Sequence, residues 1–219
     1  MKTVSSFVEQ YLKTKPFLLN SLTEGIINLT SLARNMMPEV EKELGKDVKQ
    51  GAVVMSLKRL SEELDFKINH KISKVIKNIG EITVRSSLND YTFAISETIL
   101  DTQAQLMSKI NLQKDVFYTS SRGVNEINIV LSDSMNAVIE DLFKNEKQLQ
   151  KLENLSSITI KLPQENVSVP GVYYYIFQKL AWEGIIIYEV ISTTNEFTIL
   201  VSEKEIDVAF KVMKDLKRI

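Results

Sequence analysis

Few residue types in this chain could do covalent chemistry. The 219 residues include no cysteine and a single histidine, His70. Disulfides, thiolate metal sites and cysteine nucleophiles are therefore excluded, and a zinc cluster or histidine-based catalysis has little to stand on. Glu126 and Glu196 each follow an asparagine between two alternating apolar runs, which reads as a pair of hairpin turns rather than paired catalytic carboxylates. No phosphate-cradling glycine loop, nucleophile elbow or metal-ligand spacing occurs. The expectation is a protein that is not an enzyme and carries no metal and no cofactor. Binding chemistry is better represented. Lys46, Lys49, Lys58 and Arg59 form one basic group suited to DNA phosphates, although nothing beside them reads base edges. Glu62, Glu63 and Asp65 dilute that group, so an ordinary solvated helix face is the competing reading. Lys67, Lys71, Lys74 and Lys77 recur every three to four residues, which places them on one face of a helix, most simply a surface face. Tyr173, Tyr174, Tyr175 and Trp182 either line a pocket or pack against a sheet.

The element that must position any small-molecule site is the stretch from Asn166 to Ile187. Ile158 to Leu162 alternates as a half-buried strand does. Pro163 stops it, and Pro170-Gly171 opens a turn. From Val172 the apolar positions Ile176 and Leu180 follow at helical spacing, and Gly184 ends the helix as a left-handed cap would. Strand, Pro-Gly turn, helix, glycine and strand, with Val169-Pro170-Gly171-Val172 and Glu183-Gly184-Ile185-Ile186-Ile187, resemble the ACT domain, the small ferredoxin-like sensor appended to aspartokinases and other regulated enzymes. The resemblance covers about the last third of the chain.

A second copy precedes it. Sliding the chain by 70 residues lays Val116–Lys144 on Ile186–Lys214 without a gap, with Tyr118/Tyr188, Asn125/Asn195, Glu126/Glu196, Ile129/Ile199, Ser132/Ser202, Val138/Val208 and Lys144/Lys214 identical. Each unit reads strand, helix, strand, strand, helix. The first copy passes from strand to helix through Phe93-Ala94-Ile95-Ser96-Glu97-Thr98, with neither proline nor glycine.

Ahead of the repeat the pattern is helical. A helix over residues 3–14 ends before Pro16, a second covers 17–27, and Asn28 or Thr30 caps a third. Pro38 reads as a restart of that helix and Gly45 as its turn. Asp47 then caps a helix with the stripe Val48, Ala52, Val53, Met55, Leu57, Leu60 and Leu64, so two helices joined at the glycine turn, the second running Val48 to Leu64, look like a helix-turn-helix. Ile82–Arg85 and Tyr91–Ile95 are two alternating runs, either a winged-helix hairpin or, for the second, the first strand of the repeat. Residues 1–80 carry a net charge of +4 against −5 for the remainder, summing to −1, a mild polarity that allows nucleic-acid contact without demanding it. No apolar run approaches the roughly 18 residues of a membrane span, and the N-terminus leads into no signal-type segment, so a cytoplasmic location is expected.

The fold expected is therefore α+β: a winged-helix-like helical domain over 1–86, then ferredoxin-like βαββα ACT units over 87–148 and 152–219. The resemblance implies an amino-acid effector bound by Asn166, Ser168, Val169, Pro170, Gly171, Val172 and Ile186, with exposed N–H groups at the helix start receiving a carboxylate. Many ligand-binding members carry Asp or Asn where Ser168 stands and Asn where Ile186 stands, which leaves Asn166 to meet an ammonium. The same corner without a ligand is a tight turn. The resemblance further implies a homodimer through the ACT units and an amino-acid-responsive regulator, transcriptional if the basic residues meet DNA. The rival is a scaffold that binds an enzyme of amino-acid metabolism. No kinase-like segment accompanies the repeat.

Overall fold

The computed structural model describes residues 3–23, 25–64 and 70–218; Lys67 of the lysine series and Asp65 lie outside them. Two compact units form. One comprises residues 1–74 with Val169–Gly171, the other residues 75–168 and 172–219.

The first unit is helical: α1 Val4–Lys13, α2 Pro16–Thr23, α3 Leu29–Leu44 and α4 Gln50–Leu64. Local chemistry sets their ends. Thr3 and Ser6 cap α1 reciprocally, and the Asn28 side chain accepts the Ser31 N–H at 3.0 Å to start α3. Gly45, at φ 64°, donates its N–H to Glu41 O and ends α3. Pro38 does not restart this helix. It sits inside a continuous α3, where it removes one backbone donor. The following helix starts at Gln50 rather than directly after Asp47. Val8, Leu12, Leu22, Leu32, Met36, Val40, Val53 and Leu57 form the core of the bundle.

The helix α5 (His70–Lys77) precedes the sheet. In the second unit the elements are β1 Ile82–Ala94, α6 Ile99–Ile110, β2 Tyr118–Arg122, β3 Glu126–Ser132, α7 Asn136–Leu142, β4 Gln148–Lys161, α8 Val172–Trp182, β5 Glu189–Ser192, β6 Glu196–Ser202 and α9 Ile206–Asp215. All strand pairs are antiparallel, in the order β2-β3-β1-β4-β6-β5.

The repeat builds one sheet instead of two separate ones, because its two long strands are shared. Residues 88–94 of β1 pair with β3 on one side, whereas β1 pairs with β4 along both 82–85 and 88–93 on the other. Residues 155–161 of β4 pair with β6, and the earlier part of β4 lies beside β1. Each half thus takes its fourth strand from the other copy. Leu88 and Leu155 face each other in register. Immediately before them Ser87 and Asn154 adopt φ 58° and 57°, and the β1–β4 register slips beside Ser87. These left-handed residues act as bulges that let one strand serve two halves. No winged hairpin forms over 82–95: the two alternating runs are a single strand, and 82–85 edges the second half.

One face of the first half packs under helices. Tyr91, Phe93, Ile127, Ile129 and Leu131 meet Ile99, Leu106 and Ile139, as period-two alternation requires. On the opposite face Leu88, Val130, Leu155 and Leu200 join Phe117, Leu152 and Ile191. Among the described residues no helix side chain enters that cluster.

Candidate functional site

At the β4–α8 corner the sequence-predicted residues separate. Asn166 is buried, and its Nδ2 donates to Pro163 O at 2.8 Å and Thr194 O at 2.9 Å. Its amide therefore ties the corner to the β5–β6 hairpin. Val172 is a core residue. Ser168, Pro170 and Gly171 remain at the surface, where Ser168 Oγ donates to Glu165 O. Gly171 sits at φ 92°, and the terminal methyl of Ile72 lies 3.0 Å from where a Cβ would be. Ile186 is exposed beyond the far end of α8, an 11-residue helix about 16 Å long. The two ends of the predicted set do not converge. Gly184, at φ 72°, ends α8 as read from sequence, with Ile185 N–H bonded to Leu180 O at 3.1 Å.

The matching β1–α6 corner holds a carboxylate already. Glu146 accepts hydrogen bonds from Ser96 Oγ at 2.6 Å, Thr98 Oγ1 at 2.8 Å and Thr102 Oγ1 at 3.1 Å. Partial burial pushes the Glu146 carboxyl up, and the three hydroxyl hydrogen bonds together outweigh it, leaving it below its ordinary value. A carboxylate at a helix start is what the backbone dipoles favour. Here the chain supplies its own.

On the helix-free face of the sheet lies a polar cavity of about 430 Å³. Asp90 and Thr92 of β1, Asn128 of β3 and Gln150 of β4 form its floor, and Tyr188 and Glu189 of the second half form a wall. Thr92 is in register with both Asn128 and Gln150, which aligns three polar side chains across three strands. Asp90 is 5% exposed and accepts a hydrogen bond from Asn128 Nδ2. Burial pushes the Asp90 carboxyl above its ordinary value despite that bond. Glu189 is also raised, first by burial and then by the negative charge of Asp90. Sequence reasoning missed this pair. The only local signal was a charged residue in mid-strand, at a position where the second copy has Ser157.

A second hollow, of about 560 Å³, runs between α8 and α9, lined by Trp182, Val208 and Lys211 among others. Trp182 is exposed and Lys179 lies over its ring at 5.1 Å. Tyr173 instead stacks on Phe197 at 4.9 Å. In the helical unit Lys46, Lys49, Lys58 and Arg59 are all exposed, and Arg59 Nη2 donates to Ser5 Oγ at 2.5 Å. Among the described residues no group of three or more His, Cys, Asp or Glu could hold a metal ion, and no helix is long and apolar enough to cross a membrane.

The fold is similar to that of solved aspartate kinases and of an aspartate kinase regulatory subunit. The aspartate kinase of Clostridium acetobutylicum aligns at TM-score 0.53 and 15% identity, covering 63% of this chain and 34% of that one. The ligand-free regulatory subunit of aspartate kinase from Thermus thermophilus aligns at TM-score 0.51 and 8% identity, covering 63% and 97%. Aspartokinase alpha and beta subunits align at TM-score 0.51 and 13% identity, covering 64% and 99%. The ACT-like architecture read from the repeat thus holds at the level of fold. No family model matches the chain. Among curated proteins, the protein adenylyltransferase and cysteine protease IbpA of Histophilus somni is 27% identical over 172 residues, 71% of this chain. The chain spans 4% of that protein's length, and it has no cysteine with which to act as a cysteine protease.

Proposed function

We propose that this chain is a regulatory protein whose ACT-like sheet senses a small amino-acid-type molecule and passes the signal to the N-terminal helices. The observation that carries this reading is the polar cavity on the helix-free face, walled by both halves of the sheet. A ligand seated there touches both copies, so it favours one arrangement of the halves over another if it binds that arrangement more tightly. The exposed Ser168–Gly171 turn remains a second entry for such a ligand, and pairing of two chains through the edge strands suits a homodimer. The fold likeness to aspartate kinase regulatory subunits supports the same reading. A thermal-shift screen of amino acids and amines against the full chain tests it, because a molecule selective for the folded state raises the melting temperature.

For the output, transcriptional regulation assigns DNA phosphates to Lys46, Lys49, Lys58 and Arg59. A protein partner is the second reading. Ile26 and Met55 of the helical unit are 71% and 65% exposed, and apolar groups suit a protein surface better than a phosphate backbone. Mobility of DNA with the chain at two salt concentrations separates them: phosphate contacts weaken steeply with salt, and a scaffold gives no shift at either.

A further inference from the structure

We infer that the cavity on the helix-free face is a site for an organic cation, an alkylammonium ligand held between Asp90 and Glu189. This deepens the regulatory reading above and rests on it. Three observations point to the ligand's charge. The lining includes three carboxylates, Asp90, Glu126 and Glu189, and among the described residues no lysine or arginine. Asp90 is a buried carboxylate whose hydrogen bonding, among the described residues, is one amide from Asn128, although a carboxylate offers about four acceptor positions. Neither Asp90 nor Glu189 has a cation within ion-pair distance among the described residues. Burying an unpaired carboxylate is costly, so a mobile cation or protons must offset it.

The geometry selects the kind of cation. Among the described residues these carboxylates form no group that could hold a metal ion. Asp90 and Glu189 belong to opposite halves of the sheet and face one cavity of about 430 Å³, within the range of small-molecule sites. An ammonium on a carbon chain can donate to Asp90 while its stem lies over Leu152 and Ile187, both in the lining. The amide oxygens of Asn128 and Gln150 accept further N–H groups. With no basic residue to receive an α-carboxylate, a diamine fits better than a neutral amino acid. The corresponding position in the second copy, Ser157, carries a buried hydroxyl without a partner among the described residues, so the carboxylate belongs to one half alone.

Isothermal titration of the full chain with cadaverine, lysine and norleucine tests this. The three ligands carry, respectively, ammonium groups alone, a side-chain ammonium with an α-carboxylate, and the amino acid without the side-chain ammonium. Cadaverine is expected to bind more tightly than lysine, and norleucine not at all. Asp90→Asn and Glu189→Gln should each weaken cadaverine about tenfold or more, as loss of a charge-assisted hydrogen bond does. Both variants keep the side-chain shape, and melting curves confirm folding. Lysine binding more tightly than cadaverine, with the same losses in both variants, supports the alkylammonium site and assigns it to a basic amino acid. Norleucine binding with cadaverine silent overturns the cation site while leaving the regulatory reading intact. No binding by any of the three overturns the cation site, and silence across the wider amino-acid screen removes the regulatory reading as well. Cadaverine binding unchanged in both variants also overturns it.

Discussion

Replacing Glu146 gives the most quantitative view of how this fold closes its own helix start. Three hydroxyls, from Ser96, Thr98 and Thr102, donate to its carboxylate. Hydrogen bonds to a charged group contribute about 1.5–3 kcal/mol each when buried, but this cluster is partly open to water, and the freed hydroxyls would rehydrate. Solvent screening and rehydration bring the whole clamp down to about 1–2 kcal/mol. For a domain of this size each kcal/mol is about 2–4 °C in Tm, so Glu146→Ala should lower Tm by roughly 2–8 °C at pH 7, and Glu146→Gln by less. The sign with pH follows from the depressed carboxyl. Its contribution is complete above the unfolded value, near 4.5, and is lost as pH falls through the lower folded value. Urea melts of wild type and variant at pH 7 and pH 3 should show a difference that shrinks at the lower pH. An equal difference at both, or none at pH 7, would refute the clamp.

The left-handed positions make further predictions. Gly184→Ala meets nothing within 4 Å and should cost about 1 kcal/mol in urea melts, from its positive φ alone. Gly171→Ala carries the same strain and also meets the Ile72 methyl, so it should cost more, and the excess should vanish in an Ile72→Val background in a double-mutant cycle. Ser87→Gly should stabilise by up to about 1 kcal/mol, and Asn154→Gly by less, because asparagine tolerates αL better than serine. Asp90→Asn should raise Tm at neutral pH. A carboxyl raised by burial favours folding below its ordinary value, and that contribution is lost as pH rises through the folded value. The gap between variant and wild type should therefore widen from pH 4 to pH 7.

Much of the second unit was legible because the offset of 70 residues survives in both hairpins and in the turns after them: the strands Glu126–Ser132 and Glu196–Ser202 begin and end at positions 70 apart. The sharing of strands was not. Between β1 and β4 the offset drops to 67, as Ser87 and Asn154 show, and a strand serving two halves has the same period as a hairpin arm. The carboxylate clamp at the start of α6 and the approach of Ile72 to Gly171 were invisible for another reason. Ser96 and Glu146 lie 50 residues apart, and Ile72 and Gly171 are further apart still, so no local motif joins them. Asn166 was read as a polar group to meet a ligand's ammonium; its Nδ2 instead donates to the carbonyls of Pro163 and Thr194, and the second of these is placed only by the hairpin's return. Asp90 and Glu189 sit in strands of different copies, and nothing in either strand announces the other.

Titration of the intact chain with cadaverine, run beside Asp90→Asn, is the most direct measurement. A saturable heat that falls about tenfold or more in affinity in the variant is what a sensor with an acidic cavity between its halves must give. A flat titration, or one the variant leaves unchanged, contradicts it.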